Sequence, residues 1–227
     1  AFSIARSGAS DAFVSRLSSN GSTLIGSTYI GGTDNEAYQA EFTPLGAVVY
    51  HPLSTNRSSQ LSPGDIAIDA SGNIWVTTNT NSTNFPTTSN AAVLTKSGGW
   101  DGVVFSLDNT CSQLLYSSYY GGSGDETPHS ILIGKNNDIY VGGVTGSNAS
   151  SVVQFPTTPG SLNVSSNGDV DGFITRFNMV TGAIMHSTLI GTSSADQVAH
   201  LQMDKDGLVY ALGRTTGNYA VENANWV

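Results

Sequence analysis

A single cysteine, Cys111, occurs in the 227 residues, so no internal disulfide holds the chain together. Charge is scarce as well. Asp, Glu, Lys and Arg make up 11% of the sequence, and a chain so poor in Lys, Glu, Gln and Arg lacks the composition of long helices. Basic residues are the scarcest: eight Lys plus Arg stand against seventeen Asp plus Glu, for a net charge of -9. That balance repels phosphate backbones and anionic lipid surfaces, which argues against nucleic-acid and membrane-surface binding. No apolar run approaches the roughly 18 residues needed to cross a bilayer. The opening Ala1-Phe2-Ser3-Ile4-Ala5-Arg6 has no initiator Met and no basic-then-apolar signal layout, so it reads as a mature or excised piece.

What is present is 26 Gly with abundant Ser, Thr and Asn, the composition of strands and turns. A surface polar without being charged leans toward an extracellular or outer cell-surface protein. Self-similarity organises the rest. Asp11-Ala12-Phe13-Val14-Ser15-Arg16-Leu17, Asp101-Gly102-Val103-Val104-Phe105-Ser106-Leu107 and Asp171-Gly172-Phe173-Ile174-Thr175-Arg176-Phe177 line up, each followed at one offset by a second strand and separated from it by a short polar turn. A different hairpin also recurs three times, with strands flanking Asp69-Ala70-Ser71-Gly72, Gly134-Lys135-Asn136-Asn137 and Asp204-Lys205-Asp206-Gly207.

With the strands lettered A (131–133), B (139–144), C (172–177) and D (183–190), the chain reads C-D, A-B-C-D, A-B-C-D, A-B. The expected fold is all-β: a β-propeller of four-stranded antiparallel blades. Its segments are strands C-D at about 11–30, an insertion at 37–64 between D and A, blades at about 65–120 and 128–190, and strands A-B at about 198–213. Fewer than four blades make too tight a ring, so the chain is expected to be part of a larger ring, the remainder coming from a longer chain or a multiprotein complex. An open stack of sheets is the competing arrangement.

In an antiparallel blade the A-B and C-D turns share one end and the B-C and D-A connections share the other. The first set is short. The long connections, 77–100, 145–170 and the 37–64 insertion, all fall in the second set, so a protein or surface glycan is expected on that face. The binding candidates there are Phe85, Trp100, Phe155 and Tyr50. Phe85-Pro86-Thr87-Thr88 and Phe155-Pro156-Thr157-Thr158 are near copies, however, and a repeated loop Phe also reads as an anchor dropped into the blade edge. Trp100 is the better placed for exposure.

Acidic, glycine-rich stretches follow strand D: Gly31-Gly32-Thr33-Asp34-Asn35-Glu36, Gly121-Gly122-Ser123-Gly124-Asp125-Glu126 and Gly191-Thr192-Ser193-Ser194-Ala195-Asp196. As phosphate loops they fail, because no Lys-Ser, Lys-Thr or helix pattern follows. Asp34, Asp125 and Asp196 suit turn capping, and Asp11, Asp101 and Asp171 the same part at the entry to strand C. Weak calcium candidates are Asp69 with Asn73, and Asp204 with Asp206, which place oxygen donors at alternate positions but lack the terminal Glu of a full calcium loop. No other metal ligand set is proposed. His51, His129, His186 and His200 lack zinc-site spacing, Cys111 has no activating neighbour, and no catalytic residue or cofactor is expected. The N-x-Ser/Thr sequons at Asn20, Asn56, Asn81, Asn148 and Asn163 mark surface loops.

Asp101-Gly102-Val103-Val104-Phe105, Leu115-Tyr116-Ser117-Ser118-Tyr119-Tyr120-Gly121-Gly122-Ser123-Gly124-Asp125-Glu126, Asp138-Ile139-Tyr140-Val141-Gly142-Gly143 and Phe155-Pro156-Thr157-Thr158-Pro159-Gly160 together resemble the SBBP beta-propeller repeat family, over nearly the whole chain apart from 37–64. Members are mostly large bacterial exported or surface proteins, common in Bacteroidetes, often with adhesion-like modules and a type IX secretion tail. The resemblance implies a noncatalytic extracellular scaffold or binding module, in the setting of an adhesion, gliding or type IX secretion-related envelope complex. A polysaccharide-binding or polysaccharide-active propeller is the alternative. The last repeat departs from the pattern, losing a glycine at Thr192 and moving its acid to Asp196.

Overall fold

In the computed structural model, residues 1–37, 39–42, 48–51, 64–136, 138–168 and 170–219 are described, with the backbone alone for 39–42 and 48–51. Among the described residues, fourteen strands form: β1 (Ala12–Leu17), β2 (Leu24–Ile30), β3 (Gln39–Phe42), β4 (Val48–His51), β5 (Asp65–Ile68), β6 (Ile74–Thr80), β7 (Asp101–Leu107), β8 (Leu114–Tyr120), β9 (Glu126–Ile133), β10 (Asp138–Thr145), β11 (Asp171–Asn178), β12 (Ile184–Ile190), β13 (Asp196–Met203) and β14 (Val209–Thr215). The fold is all-β. Two four-stranded antiparallel meanders, β5-β6-β7-β8 and β9-β10-β11-β12, lie between two-stranded sheets β1-β2 and β13-β14, and β3-β4 forms a separate hairpin.

The sheets pack face to face as propeller blades do, with β9 against β5 and β6, and β13 against β9 and β10. One core cluster joins Trp75, Tyr116 and Tyr120 of the first four-stranded sheet to Ile139, Phe173 and Phe177 of the second. Another joins Val14 and Ile30 of β1-β2 to Ile74, Phe105 and Tyr119. Because β7 has a neighbour on each face, all seven of its residues are buried, including alternate positions that a one-sided sheet would leave wet. Tyr120 sits edge-on between Phe173 and Phe177, at centroid distances of 5.8 and 5.5 Å, tying one sheet to the next.

The repeat extends to the irregularities. Each C-D pair shifts register at the same place, Arg16/Leu17, Ser106/Leu107 and Arg176/Phe177. The A strands β9 and β13 both carry a bulge after their third residue. The A-B turns at Asp69 and Asp204 close alike: Gly72 and Gly207 take φ of 83° and 92°, a conformation that suits glycine, and their amides donate to the carbonyls of Asp69 and Asp204.

The 37–64 stretch corrects the expected topology. The sequence reads it as lying between D and A, yet Glu36 already bridges Thr80 as Glu126 pairs with Thr145. The Ala37 amide donates to Asn79 O at 3.0 Å, and pairing resumes at Asp65 with Thr77. The excursion therefore leaves from within strand A, at the position of the bulge in β9, and includes the β3-β4 hairpin. Sequence could not show this, because Glu36-Ala37 is too short to read as a strand.

Candidate functional site

The conspicuous chemistry is a carboxyl that closes the end of each blade. Glu126 opens β9 and turns back toward the preceding loop. Its Oε1 accepts from Thr145 Oγ1 and Ser147 Oγ, both at 2.6 Å, and its Oε2 from the Gly122 amide at 3.1 Å. The hydroxyls are held in turn: the Ser147 amide donates to Thr145 Oγ1 at 2.9 Å, and the Gly124 amide to Ser147 Oγ at 2.9 Å. Glu36 repeats the arrangement. Thr80 Oγ1 donates to its Oε1 at 2.6 Å, the Ser82 amide to Thr80 Oγ1 at 2.9 Å and the Asp34 amide to Ser82 Oγ at 2.8 Å. Glycine precedes both acids because the carboxyl lies against the backbone: a Cβ on Gly31 or Gly121 would come within 2.4 or 2.1 Å of the glutamate Oε2.

Burial pushes the Glu126 carboxyl up to about 8, against hydrogen bonds from Ser147 and Thr145 that favour the charge; the charge on Asp101 adds to the rise. Burial also raises Glu36. In the third unit the shorter Asp196 does not reach strand B and instead accepts from Thr192 N and Oγ1 at 2.6 and 2.8 Å. Nothing in the acidic, glycine-rich stretches by itself singles out Glu36 and Glu126. The available signal was their common distance from the glycine pair together with Thr80-Asn81-Ser82 and Thr145-Gly146-Ser147.

The aspartates act as turn caps. Asp11 accepts from Ser7 and Gly8 amides, Asp101 from Ser97 and Gly98, and Asp171 from Ser166 Oγ and the Asn167 amide. Asp125 Oδ1 accepts from the Trp100 amide at 2.8 Å, whereas Asp34 contributes its carbonyl, to the Ala9 amide. The calcium candidates are engaged in the same way. Asp69 accepts from the Ser71 and Asn73 amides, Asn73 Nδ2 and Trp75 Nε1. Burial raises its pKa, but these donors outweigh burial and hold it below the usual value. Asp204 accepts from the Asp206 and Leu208 amides and Tyr210 OH, while Asp206 pairs with Lys205. Among the described residues, no group of three or more His, Cys, Asp or Glu is placed to hold a metal ion.

Phe85 and Phe155 lie in separate core clusters. Phe85 and Phe155 are buried; Phe85 lies 6.0 Å from the Phe105 ring, and Phe155 lies 4.7 Å from that of Phe173. Both are anchors, and neither offers a contact surface. Their loops then run back along the outer strand of the same blade. Thr88 and Thr158 clip to β8 and β12: their amides donate to Ser117 O and Ser187 O, and their hydroxyls accept from the Ser117 and Ser187 amides. Each long loop thus caps an edge that would otherwise be free to pair. Trp100 is half-buried, and its carbonyl accepts from the Glu126 amide at 2.7 Å, stitching one blade to the next. Tyr50 lies on β4 opposite Ala40, and its side chain falls outside the described residues.

Exposed apolar side chains do remain on the loops: Leu94 on the first, and Val152, Leu162 and Val164 on the second. No helix among the described residues is long and apolar enough to cross a membrane. No curated protein matches the chain. Residues 45–86, which run from inside the excursion through β4, β5 and β6 to the first Phe-Pro anchor, match the family model of SBBP, the beta-propeller repeat.

Proposed function

We propose that the chain is a noncatalytic scaffold and binding module of a bacterial surface protein, meeting a protein or a surface glycan through the end of the blades that carries the long loops. The observation behind this reading is where the units stop being alike. Their acids, hydroxyls and Phe-Pro anchors are spent on internal contacts that recur from blade to blade, a use that serves the scaffold. The differences are the excursion that opens strand A after Ala37 and the apolar side chains of the second loop, Val152, Leu162 and Val164. Variable, exposed elements on a rigid repeat are where specificity resides.

An outer-surface location and a place in an adhesion, gliding or type IX secretion-related envelope complex agree with this reading and with the SBBP match. The test is a glycan array and crosslinking to envelope proteins, repeated with Trp100→Ala, with Val152→Ser/Leu162→Ser, and with residues 38–63 excised and the bulge rebuilt as in β9. Binding that is weakened by these changes supports the assignment. Binding that survives all of them, or turnover of any polysaccharide, overturns it.

A further inference from the structure

Between the two complete blades, at the end that carries the short turns, lies a hollow of about 320 Å³ bordered by Asp69, Trp75, Ser106, Leu115, Tyr116 and Val180. Its walls are the first complete blade and the β11-β12 turn of the second. We propose that this hollow takes up a guanidinium group, presented by an arginine side chain of a partner polypeptide. The contact is made at the opposite end of the blades from the long loops and does not rest on them.

The second complete blade holds the template. There Tyr140, Arg176 and His186 stand opposite one another across β10, β11 and β12. Arg176 lies over the Tyr140 ring at 5.5 Å, and its guanidinium donates to Asp138 Oδ2. In the first blade the corresponding row is Trp75, Ser106 and Tyr116. The aromatic ring is kept and the arginine is not. The carboxylate is kept as well, from another residue. Asp69 stands where the second blade has Gly134, and a Cβ on Gly134 would fall 2.0 Å from Asp138 Oδ1, so the two acids bring their carboxylates to the same corner of the turn from different backbone positions.

The exchange of arginine for serine leaves traces. Ser106 Oγ is buried and has no hydrogen-bond partner among the described residues, in a strand whose other polar groups are paired. Asp69 is held by neutral donors, the Ser71 and Asn73 amides, Asn73 Nδ2 and Trp75 Nε1, and no Lys or Arg among the described residues forms an ion pair with it. The border of the hollow contains no cationic side chain. Leu115 and Val180, 41% and 70% exposed, add an apolar rim along which the methylenes of an arginine can lie. A guanidinium group is charged, carries donors only and packs on aromatic rings, which matches a carboxylate, an unpaired hydroxyl oxygen and an aromatic wall. The net charge of -9 favours the approach of such a partner.

The probe is a capped Gly-Arg-Gly tripeptide, followed through the indole Nε1–H resonance of Trp75, the one that persists when Trp100 and Trp226 are replaced by Phe. The peptide should shift this resonance saturably with a Kd on the order of 1 mM, while Gly-citrulline-Gly, of the same shape without the charge, should leave it in place up to about 10 mM. Ser71→Lys, at an exposed turn position, sets a cation beside Asp69, and Ser106→Arg returns the arginine of the second blade. Each should weaken binding by about tenfold or more with the far-UV spectrum intact. Should Ser106→Arg fail to fold, Ser71→Lys decides alone. No shift with the arginine peptide, an equal shift with the citrulline peptide, or binding unchanged in Ser71→Lys overturns the site. Free guanidinium ion should bind more weakly than the tripeptide, and equal affinity overturns an arginine side chain as the occupant.

Discussion

Phe173 and Phe13 hold the same place in the same repeat, one sealed between sheets and the other open to water. The contrast between complete and half blades teaches that a strand in this fold is buried by the neighbouring sheet as much as by its own hairpin. It also ranks the ways of perturbing the molecule. Phe173→Ala should cost about 3 to 5 kcal/mol in urea unfolding, because it empties a site lined by Tyr120 and Phe155. Phe13→Ala, at a side chain that is 70% exposed, should cost less than about 1 kcal/mol. Equal losses at the two sites would erase the distinction.

The closing acids provide the next test. Glu126→Ala strips the acceptor from Thr145, Ser147 and the Gly122 amide and should cost about 2 to 4 kcal/mol. Asp196→Ala, which loses bonds only within its own loop, should cost about half as much in the same denaturant series.

Acidity sharpens the same comparison. The Glu126 carboxyl titrates near 8 in the fold against an ordinary 4.5, so the folded chain holds this proton more tightly than the unfolded chain. Its contribution to stability is fully present below pH 4.5 and is lost as pH rises through 8, an effect on the order of a few kcal/mol. Glu36, Asp101 and Asp171 are raised by burial and act in the same direction. Glu126→Gln should flatten most of the slope in unfolding measured from pH 5 to 9, and a slope left unchanged would locate the titration elsewhere. A smaller effect than at the closing acids is expected at the loop clips. Thr158→Val should cost about 1 kcal/mol and speed hydrogen exchange at the Ser187 amide while leaving Ser117 unaffected.

Much of the architecture was legible because each C strand announces itself with Asp11, Asp101 or Asp171, and each A-B turn with a polar, glycine-marked loop. The interruption of the first A strand was not, since two residues ahead of an insertion carry no periodicity. Nor was the role of Glu36 and Glu126. An acid in a polar loop reads as solvated until the backbone shows it folded under the adjoining glycines. Phe85 and Phe155 had two readings from sequence, contact residue and anchor. What separates them is the course of the loop along β8 and β12, which only long-range hydrogen bonds reveal.

The bulge common to the A strands gives the architecture a place to grow. Pairing on either side of it is independently secured, by the buried acid on one flank and by the hairpin on the other, so the chain can depart and return there without disturbing its neighbours. A repeat built in this way can acquire new modules beside its axis one blade at a time, and the site between Pro128 and Ser130 offers protein engineers the same doorway in a blade that has not yet used it.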